Sequence, residues 1–201
     1  MEKFLSISDV TRVTAGLNNP LQGIIIGNRI PKDYFVTKGL GESNITVHAG
    51  SYHLALKDAG IEMANIITYS SILPEIATKI PKPKSIQHGE VMETIMAVAN
   101  GEKGKEISAG IIYGWLYNRK NGKKHGGLVC EHNGYYNKKE ITGMLNASLN
   151  ELYFNGFEKD YKMDDIELIT QSHIPAKKYG TALVALCFTS YVVPFIGMTN
   201  Q

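Results

Sequence analysis

The sequence predicts an α+β fold in which strands outnumber helices. Short segments rich in β-branched and aromatic residues recur along the chain, and two segments have the apolar spacing of an amphipathic helix. Twenty glycines and eleven tyrosines among 201 residues fit many turns and strands better than a helical bundle. Strand-rich halves that each carry one good helix are the pattern of an α+β sandwich.

Composition limits the classes of function. The chain has a net charge of +2, which gives no electrostatic case for nucleic-acid or membrane-surface binding. Its two cysteines, Cys130 and Cys187, form neither a disulfide framework nor a CxxC metal clip. The longest apolar run, Ala182 to Phe188, is too short to span a bilayer. We therefore expect a soluble protein of the reducing cytoplasm with both thiols free. Residues 1–27 are expected to be an N-terminal arm of unknown role, and residues 28–201 a single domain.

The first half of the domain predicts short strands around one helix. Residues 34–37 and 45–48 have strand composition, and the GLG sequence at 39–41 between them is typical of a turn. Ser51 is the expected N-cap of a helix that Gly60 ends. The sequence further predicts a strand-like run over residues 66–72 and a proline- and lysine-rich loop over residues 80–84.

The second half predicts a hairpin and a longer helix. A strand over 91–99 is followed by Asn100-Gly101, which favours a turn, and residues 111–117 and 127–131 form a hairpin around Asn121-Gly122. Asn137 and Glu140 form the capping box of a helix over 138–155, which Gly156 ends. Two strands, over about 165–172 and 181–193, close the chain. The apolar stripe of the helix consists of Ile141, Leu145, Leu149, Leu152 and Tyr153.

The candidate chemistry centres on a serine pair. Ser70-Ser71 ends an apolar strand, with Asn65 upstream and Pro74 downstream. Glu131 ends another strand, and an isolated carboxylate there is either solvent-facing or a functional acid.

Other motifs are weaker. His88 and Glu90 would share one face of a strand but Glu93 would not, so we expect no metal site. The basic cluster at 120–124 is a solvated hairpin tip.

Four ordered strings carry a resemblance to a known family: residues 55–61 (ALKDAGI), 65–74 (NIITYSSILP), 127–131 (GLVCE) and 178–183 (KYGTAL). The sequence resembles the pyruvoyl-dependent arginine decarboxylases from about Tyr34 to about Val193. The resemblance implies self-cleavage between Ser70 and Ser71 into a β chain of 70 residues and an α chain of 131. It also implies a covalent pyruvoyl group derived from Ser71, with no metal and no pyridoxal phosphate.

The resemblance also assigns roles. The Ser71 hydroxyl would attack the Ser70 carbonyl, and elimination and hydrolysis would leave the pyruvoyl group with loss of ammonia. The Asn65 amide would donate a hydrogen bond to the attacked carbonyl. Arginine would become agmatine and carbon dioxide through a Schiff base, with Glu131 protonating Cα from an apolar pocket. The residues implied to bind substrate are His53, Leu56, Ser70 and Ile72.

One residue departs from the family pattern. Arginine-specific members usually carry an aspartate where this chain has His53, and a neutral imidazole cannot replace a carboxylate opposite a guanidinium. Either Asp58, Glu62 or Glu75 takes that place, or the substrate is another amino acid. The resemblance further implies a four-layer α/β/β/α sandwich and a homotrimer with active sites between subunits.

Two alternatives share these residues. An autocleaving hydrolase would keep Ser71 as an N-terminal nucleophile with a free amine, and only a pyruvoyl chain would react as a ketone. An uncleaved, non-enzymatic oligomeric scaffold would keep only the fold.

Overall fold

The computed structural model describes residues 24–198, which are mostly strand with two α-helices, so the α+β class is confirmed. These residues divide into two compact units, one of residues 31–190 and one of residues 24–30 with 191–198. Most of the expected N-terminal arm, residues 1–23, lies outside the described residues. The division into an arm and one domain therefore stays a prediction.

Strands and helices are numbered in chain order. The strands are β1 (Ile24–Ile26), β2 (Ile30–Pro31), β3 (Asp33–Ser43), β4 (Asn65–Thr68), β5 (Ile72–Pro74), β6 (Thr78–Lys79), β7 (Val91–Glu102), β8 (Ile107–Asn118), β9 (Lys124–Gly134), β10 (Tyr161–His173), β11 (Tyr179–Phe188), β12 (Tyr191–Val192) and β13 (Phe195–Met198). The helices are α1 (His53–Ala59), which follows a π-helical turn (Val47–Tyr52), and α2 (Lys138–Gly156). No helix between residues 24 and 198 has the length and apolar character needed to cross a membrane.

The larger unit contains two sheets. One has five strands in the order β4-β7-β11-β3-β6, with β11 antiparallel to both β7 and β3 and with parallel pairs at the two edges. The other has four antiparallel strands in the order β10-β8-β9-β5. The predicted hairpin is confirmed as β8 and β9, and the chain turns at Asn121-Gly122. In the smaller unit, β1 pairs antiparallel with β13.

Helix α1 packs on the five-stranded sheet at very short range. Gly39 and Gly41 lie inside β3, where a Cβ on Gly41 would stand 2.5 Å from the amide nitrogen of Ala55. The turn predicted at residues 39–41 is therefore wrong, because these glycines give the helix backbone room to contact the strand. Gly60 ends the helix as predicted, in the left-handed conformation with φ 69°.

Two further predictions near α1 are wrong. Residues 45–48 are not a strand, because the π-helical turn begins at Val47. Ser51 is not an N-cap but lies inside that turn, fully buried, with its hydroxyl 2.9 Å from that of Thr181. A buried hydroxyl needs a partner, and the sheet supplies one.

Helix α2 covers the four-stranded sheet. Its capping box is confirmed, since the Asn137 side chain accepts from the backbone of Lys139 and Glu140, and Glu140 accepts from Asn137 N–H. The predicted stripe is buried except for Leu152, which is 39% exposed. The stripe packs on side chains of β8 and β9, namely Ile112, Leu116 and Leu128.

The other faces of the two sheets also meet through buried side chains. Tyr34 of β3 makes an edge-to-face contact with Tyr113 of β8, with ring centroids 6.1 Å apart. The predicted strand over 91–99 is confirmed and extends to Glu102, so the turn expected at Asn100-Gly101 is wrong. The run over residues 66–72 is two strands, and the gap between them carries the serine pair.

Candidate active site

The serine pair lies where the chain crosses from one sheet to the other. Strand β4 belongs to the five-stranded sheet, β5 belongs to the four-stranded sheet, and only residues 69–71 connect them. On one side, Tyr69 N–H donates to the carbonyl of Thr94 on β7 at 2.7 Å. On the other, the carbonyl of Ser71 accepts from Val129 N–H on β9 at 3.1 Å. The backbone is therefore anchored on both sides of Ser70, at Tyr69 and at Ser71.

Strand β9 places Glu131 against Ser71. The Ser71 hydroxyl donates to the Glu131 carboxylate, with Oγ at 2.8 Å from Oε2 and 3.0 Å from Oε1. Alternate residues of β9 point to opposite faces, so Leu128 and Cys130 face α2 while Glu131 does not. A half-buried carboxylate that accepts from a serine hydroxyl is placed to take its proton.

The Ser70 carbonyl has a donor from its own chain. Its oxygen accepts from Ile72 N–H at 3.0 Å, which forms a tight turn centred on Ser71. If the Ser71 hydroxyl attacks this carbonyl, negative charge develops on an oxygen that already faces an N–H group.

These groups open onto a cleft of about 670 Å³. None of its lining side chains, among the described residues, is a lysine or arginine, whereas Glu131 and Glu151 both line it. Burial raises the pKa of the Cys130 thiol in its wall to about 11, and the charge of Glu131 adds to that shift. Cys130 is therefore protonated at neutral pH and not a thiolate nucleophile. The lining residues are Ser70, Ser71, Ile72, Val129, Cys130, Glu131, His132, Ser148, Glu151, Leu152 and Asn155.

Comparison with known proteins connects this geometry to a family. The family model of the pyruvoyl-dependent arginine decarboxylases matches residues 33–193. The chain belongs to this family. The match spans both sheets of the larger unit and includes the serine pair and Glu131.

Relatives carry the same family name. A pyruvoyl-dependent arginine decarboxylase of Methanocella arvoryzae is 34% identical over 126 residues, which cover 61% of this chain and 73% of that protein. Another, of Picrophilus torridus, is 31% identical over 150 residues, covering 69% and 76%. A probable one of Chlorobaculum parvum is 31% identical over 134 residues, covering 60% and 70%.

Not all residues that the family resemblance singled out come together in one chain. Ser70, Ser71, Ile72 and Glu131 share the cleft described above. Asn65 is exposed, and its side-chain amide donates to the carbonyl of Gly89 at 3.0 Å rather than to Ser70.

The remaining two predicted substrate residues lie elsewhere. His53 and Leu56 line a different cleft of about 430 Å³, together with His48, Ala49 and Tyr52. Within one chain, the predicted substrate residues are thus divided between two clefts.

The acids considered as substitutes for the family aspartate differ in their surroundings. Asp58 accepts from the backbone N–H of Leu40 at 2.9 Å, so this carboxylate fastens α1 to β3. Glu62 and Glu75 do not line the cleft that contains Ser71.

The three residues weighed as metal ligands do not form a cluster. Glu93 is buried and accepts a hydrogen bond from Tyr69, whereas His88 Nδ1 lies 3.4 Å from the sulfur of Met63. Between residues 24 and 198, no three His, Cys, Asp or Glu side chains gather closely enough to hold a metal ion.

Sequence reasoning missed the wall of the cleft that α2 provides. Ser148, Glu151 and Asn155 follow one another at helical spacing, and Ser148 Oγ lies 2.8 Å from Nε2 of His132 on β9. The available signal is the polar stripe beside the apolar stripe of α2. The sequence alone does not connect this polar stripe with Ser71, because only the pairing of β5 with β9 places Ser71 beside it.

Proposed function

We propose that this chain cleaves itself between Ser70 and Ser71 and then decarboxylates arginine to agmatine, as a carboxy-lyase. The observation that carries the proposal is the contact between the Ser71 hydroxyl and the Glu131 carboxylate, beside a Ser70 carbonyl that already accepts a hydrogen bond. Family membership supports the same activity.

Self-cleavage follows from the residues present. Glu131 takes the proton of the Ser71 hydroxyl as Oγ bonds to the Ser70 carbonyl carbon, and the C–N bond then breaks as the amine accepts a proton. The ester that results loses the Ser71 α-proton, releases the Ser70 carboxylate and leaves dehydroalanine. One water molecule then hydrolyses the dehydroalanine, which releases its nitrogen as ammonia and leaves the pyruvoyl group. Ile72 N–H stabilises the first oxyanion, and Asn65 would join it by releasing Gly89.

The residues around Ser71 fit the group that this cleavage would make. The hydroxyl and the carbonyl that must react are neighbours in the chain, and a carboxylate is in contact with the hydroxyl. Once formed, the pyruvoyl group supplies an electron sink for the loss of carbon dioxide. Glu131, on the same wall, delivers the proton to the substrate Cα, and the cleft provides the space for the substrate.

The charge of the cleft favours a cationic substrate. Glu131 and Glu151 line it, and none of the lining residues carries a lysine or arginine side chain. Arginine bears its guanidinium at the end of a long apolar chain, so the exposed Leu152 and Ile72 offer contacts for its methylene groups.

The separate position of His53 and Leu56 supports an assembly. We propose a homotrimer in which these residues of one subunit complete the cleft of the next. We also propose the four-layer α/β/β/α order, with α1 and α2 as the outer layers, from the packing of each helix on its own sheet. The free thiols of Cys130 and Cys187 favour a reducing cytoplasm.

The test is the intact mass of the purified protein under denaturing conditions, followed by release of carbon dioxide from arginine. We expect two fragments of 70 and 131 residues, the larger lighter by one ammonia than a chain that begins with Ser71. Ser71→Ala should stay uncut and release no carbon dioxide. Glu131→Gln should slow both processes by at least about a hundredfold, the usual range for a lost general base.

Ser148→Ala is the matched control for cleavage, because it removes a hydroxyl that lines the same cleft but is hydrogen-bonded to His132. It should still yield both fragments. A larger fragment that begins with unmodified Ser71 would support the hydrolase instead, and an uncut wild-type chain would support the scaffold. Turnover of histidine, lysine or ornithine in place of arginine would show that the substrate is that amino acid and not arginine.

A further inference from the structure

Tyr69, the residue before the serine pair, is held to the five-stranded sheet at two points. Its backbone N–H donates to Thr94, and its phenol hydroxyl donates to the carboxylate of Glu93, the preceding residue of β7. The ring also packs on Phe188 of β11, with centroids 5.7 Å apart. Backbone and side chain of one residue are thus bound to consecutive residues of one strand.

Glu93 is an unusual residue for its place. Only 1% of its surface is exposed, and it lies in the buried part of β7 between Met92 and Thr94. Burial of a carboxylate is costly and needs strong hydrogen bonds to offset it. A core that only had to be stable would place an apolar side chain there, so the contact with Tyr69 suggests a role in positioning.

We propose that Tyr69 and Glu93 are positioning residues of the self-cleavage, which hold the Ser70 carbonyl within reach of the Ser71 hydroxyl. The inference rests on the proposed function, because it concerns the rate of the same cleavage. Ser71 is fixed from the other side by Val129 and Glu131, so Tyr69 supplies the opposite anchor of a three-residue crossover. An intramolecular attack depends steeply on orientation, and rotation at residue 69 would turn the carbonyl away.

The test measures the cleavage rate of newly made protein. The chain is synthesised in a cell-free system, synthesis is stopped, and the uncut fraction is followed with time on a denaturing gel. Tyr69→Phe keeps the ring on Phe188 and removes only the hydroxyl. We expect it to cleave at least about tenfold more slowly than wild type. Glu93→Gln can still accept the bond and should be slowed less.

Tyr117→Phe is the matched control. It removes the hydroxyl from another tyrosine–carboxylate pair, Tyr117 with Asp165 at 2.6 Å, on strands that do not contain the crossover. Its cleavage rate should equal that of wild type. A second readout separates positioning from stability: after cleavage is complete, kcat and KM per cleaved subunit of Tyr69→Phe should match wild type.

The outcomes separate the two proposals. If wild type does not cleave, the proposed function itself fails. If wild type cleaves and Tyr69→Phe cleaves equally fast, only the positioning role is overturned. The positioning role is also overturned if Tyr117→Phe is slowed as much as Tyr69→Phe. Tyr69→Phe decides the matter even if Glu93→Gln does not fold.

Discussion

The two helices contact their sheets in opposite ways. At Gly39 and Gly41, helix α1 lies directly against the backbone of β3, because these residues present only hydrogens to it. Helix α2 lies on β8 and β9 through large side chains, including Leu145 and Leu149. The α1 interface requires that two residues have no side chain, whereas the α2 interface requires large side chains that pack against each other. Added side-chain volume should therefore damage the first interface, and removed volume should damage the second.

The largest effect should come from enlarging the α1 interface. Gly41→Ala would place a methyl group 2.5 Å from the backbone nitrogen of Ala55, and backbone cannot move aside as a side chain can. We expect a loss of about 3 kcal/mol or more in the free energy of unfolding, measured by urea denaturation. Gly143→Ala is the control, because a Cβ there meets nothing within 4 Å. Equal stability of Gly41→Ala and wild type would refute the close-packed interface.

The next effect should come from shrinking the α2 interface. Leu145 is fully buried against the four-stranded sheet, and Leu145→Ala should cost about 2–5 kcal/mol through lost burial and a cavity. Leu152→Ala, on the same helix but 39% exposed, should cost much less. Comparison of the two variants by thermal and urea unfolding tests whether the buried stripe carries the packing. A similar loss for both would contradict it.

The same contrast explains what the sequence can predict. Helix α2 follows from Asn137, Glu140 and the apolar stripe, because capping and periodicity are local. The strand through Gly39 and Gly41 does not, because glycines that allow a close approach have the same composition as a turn. The local pattern cannot tell whether a missing side chain makes room for a bend or for a neighbouring helix.

The site divides along a similar line. Ser71 and Glu131 are singled out by resemblance to a family, but they lie 60 residues apart in the sequence. Their contact follows from the pairing of β5 with β9, a long-range feature that periodicity does not record. From the sequence, Glu93 is considered only as a metal ligand and is set aside, and its bond to Tyr69 becomes visible when β4 is placed beside β7.

The smallest effect concerns a contact that joins the two sheets rather than a helix to its sheet. Glu42, near the end of β3, accepts from Ala176 N–H at 2.9 Å and from His173 at the end of β10. The backbone hydrogen bond from Ala176 lowers the pKa of the Glu42 carboxyl most, the bond to His173 and its charge add to this, and partial burial opposes it. We expect Glu42→Gln to cost about 1 kcal/mol at neutral pH, the usual net value of such bonds.

The pH dependence distinguishes this contact from simple packing. Because the pKa of Glu42 is lower in the folded chain than in the unfolded chain, its contribution is complete above the unfolded value of about 4.3. It is lost as pH falls through the folded value, since the proton then binds the unfolded carboxylate first. The difference in unfolding free energy between wild type and Glu42→Gln should therefore be larger at about pH 5 than below about pH 4, where it shrinks. A difference that stayed constant into the acid range would mean that Glu42 acts through its shape and not through its charge.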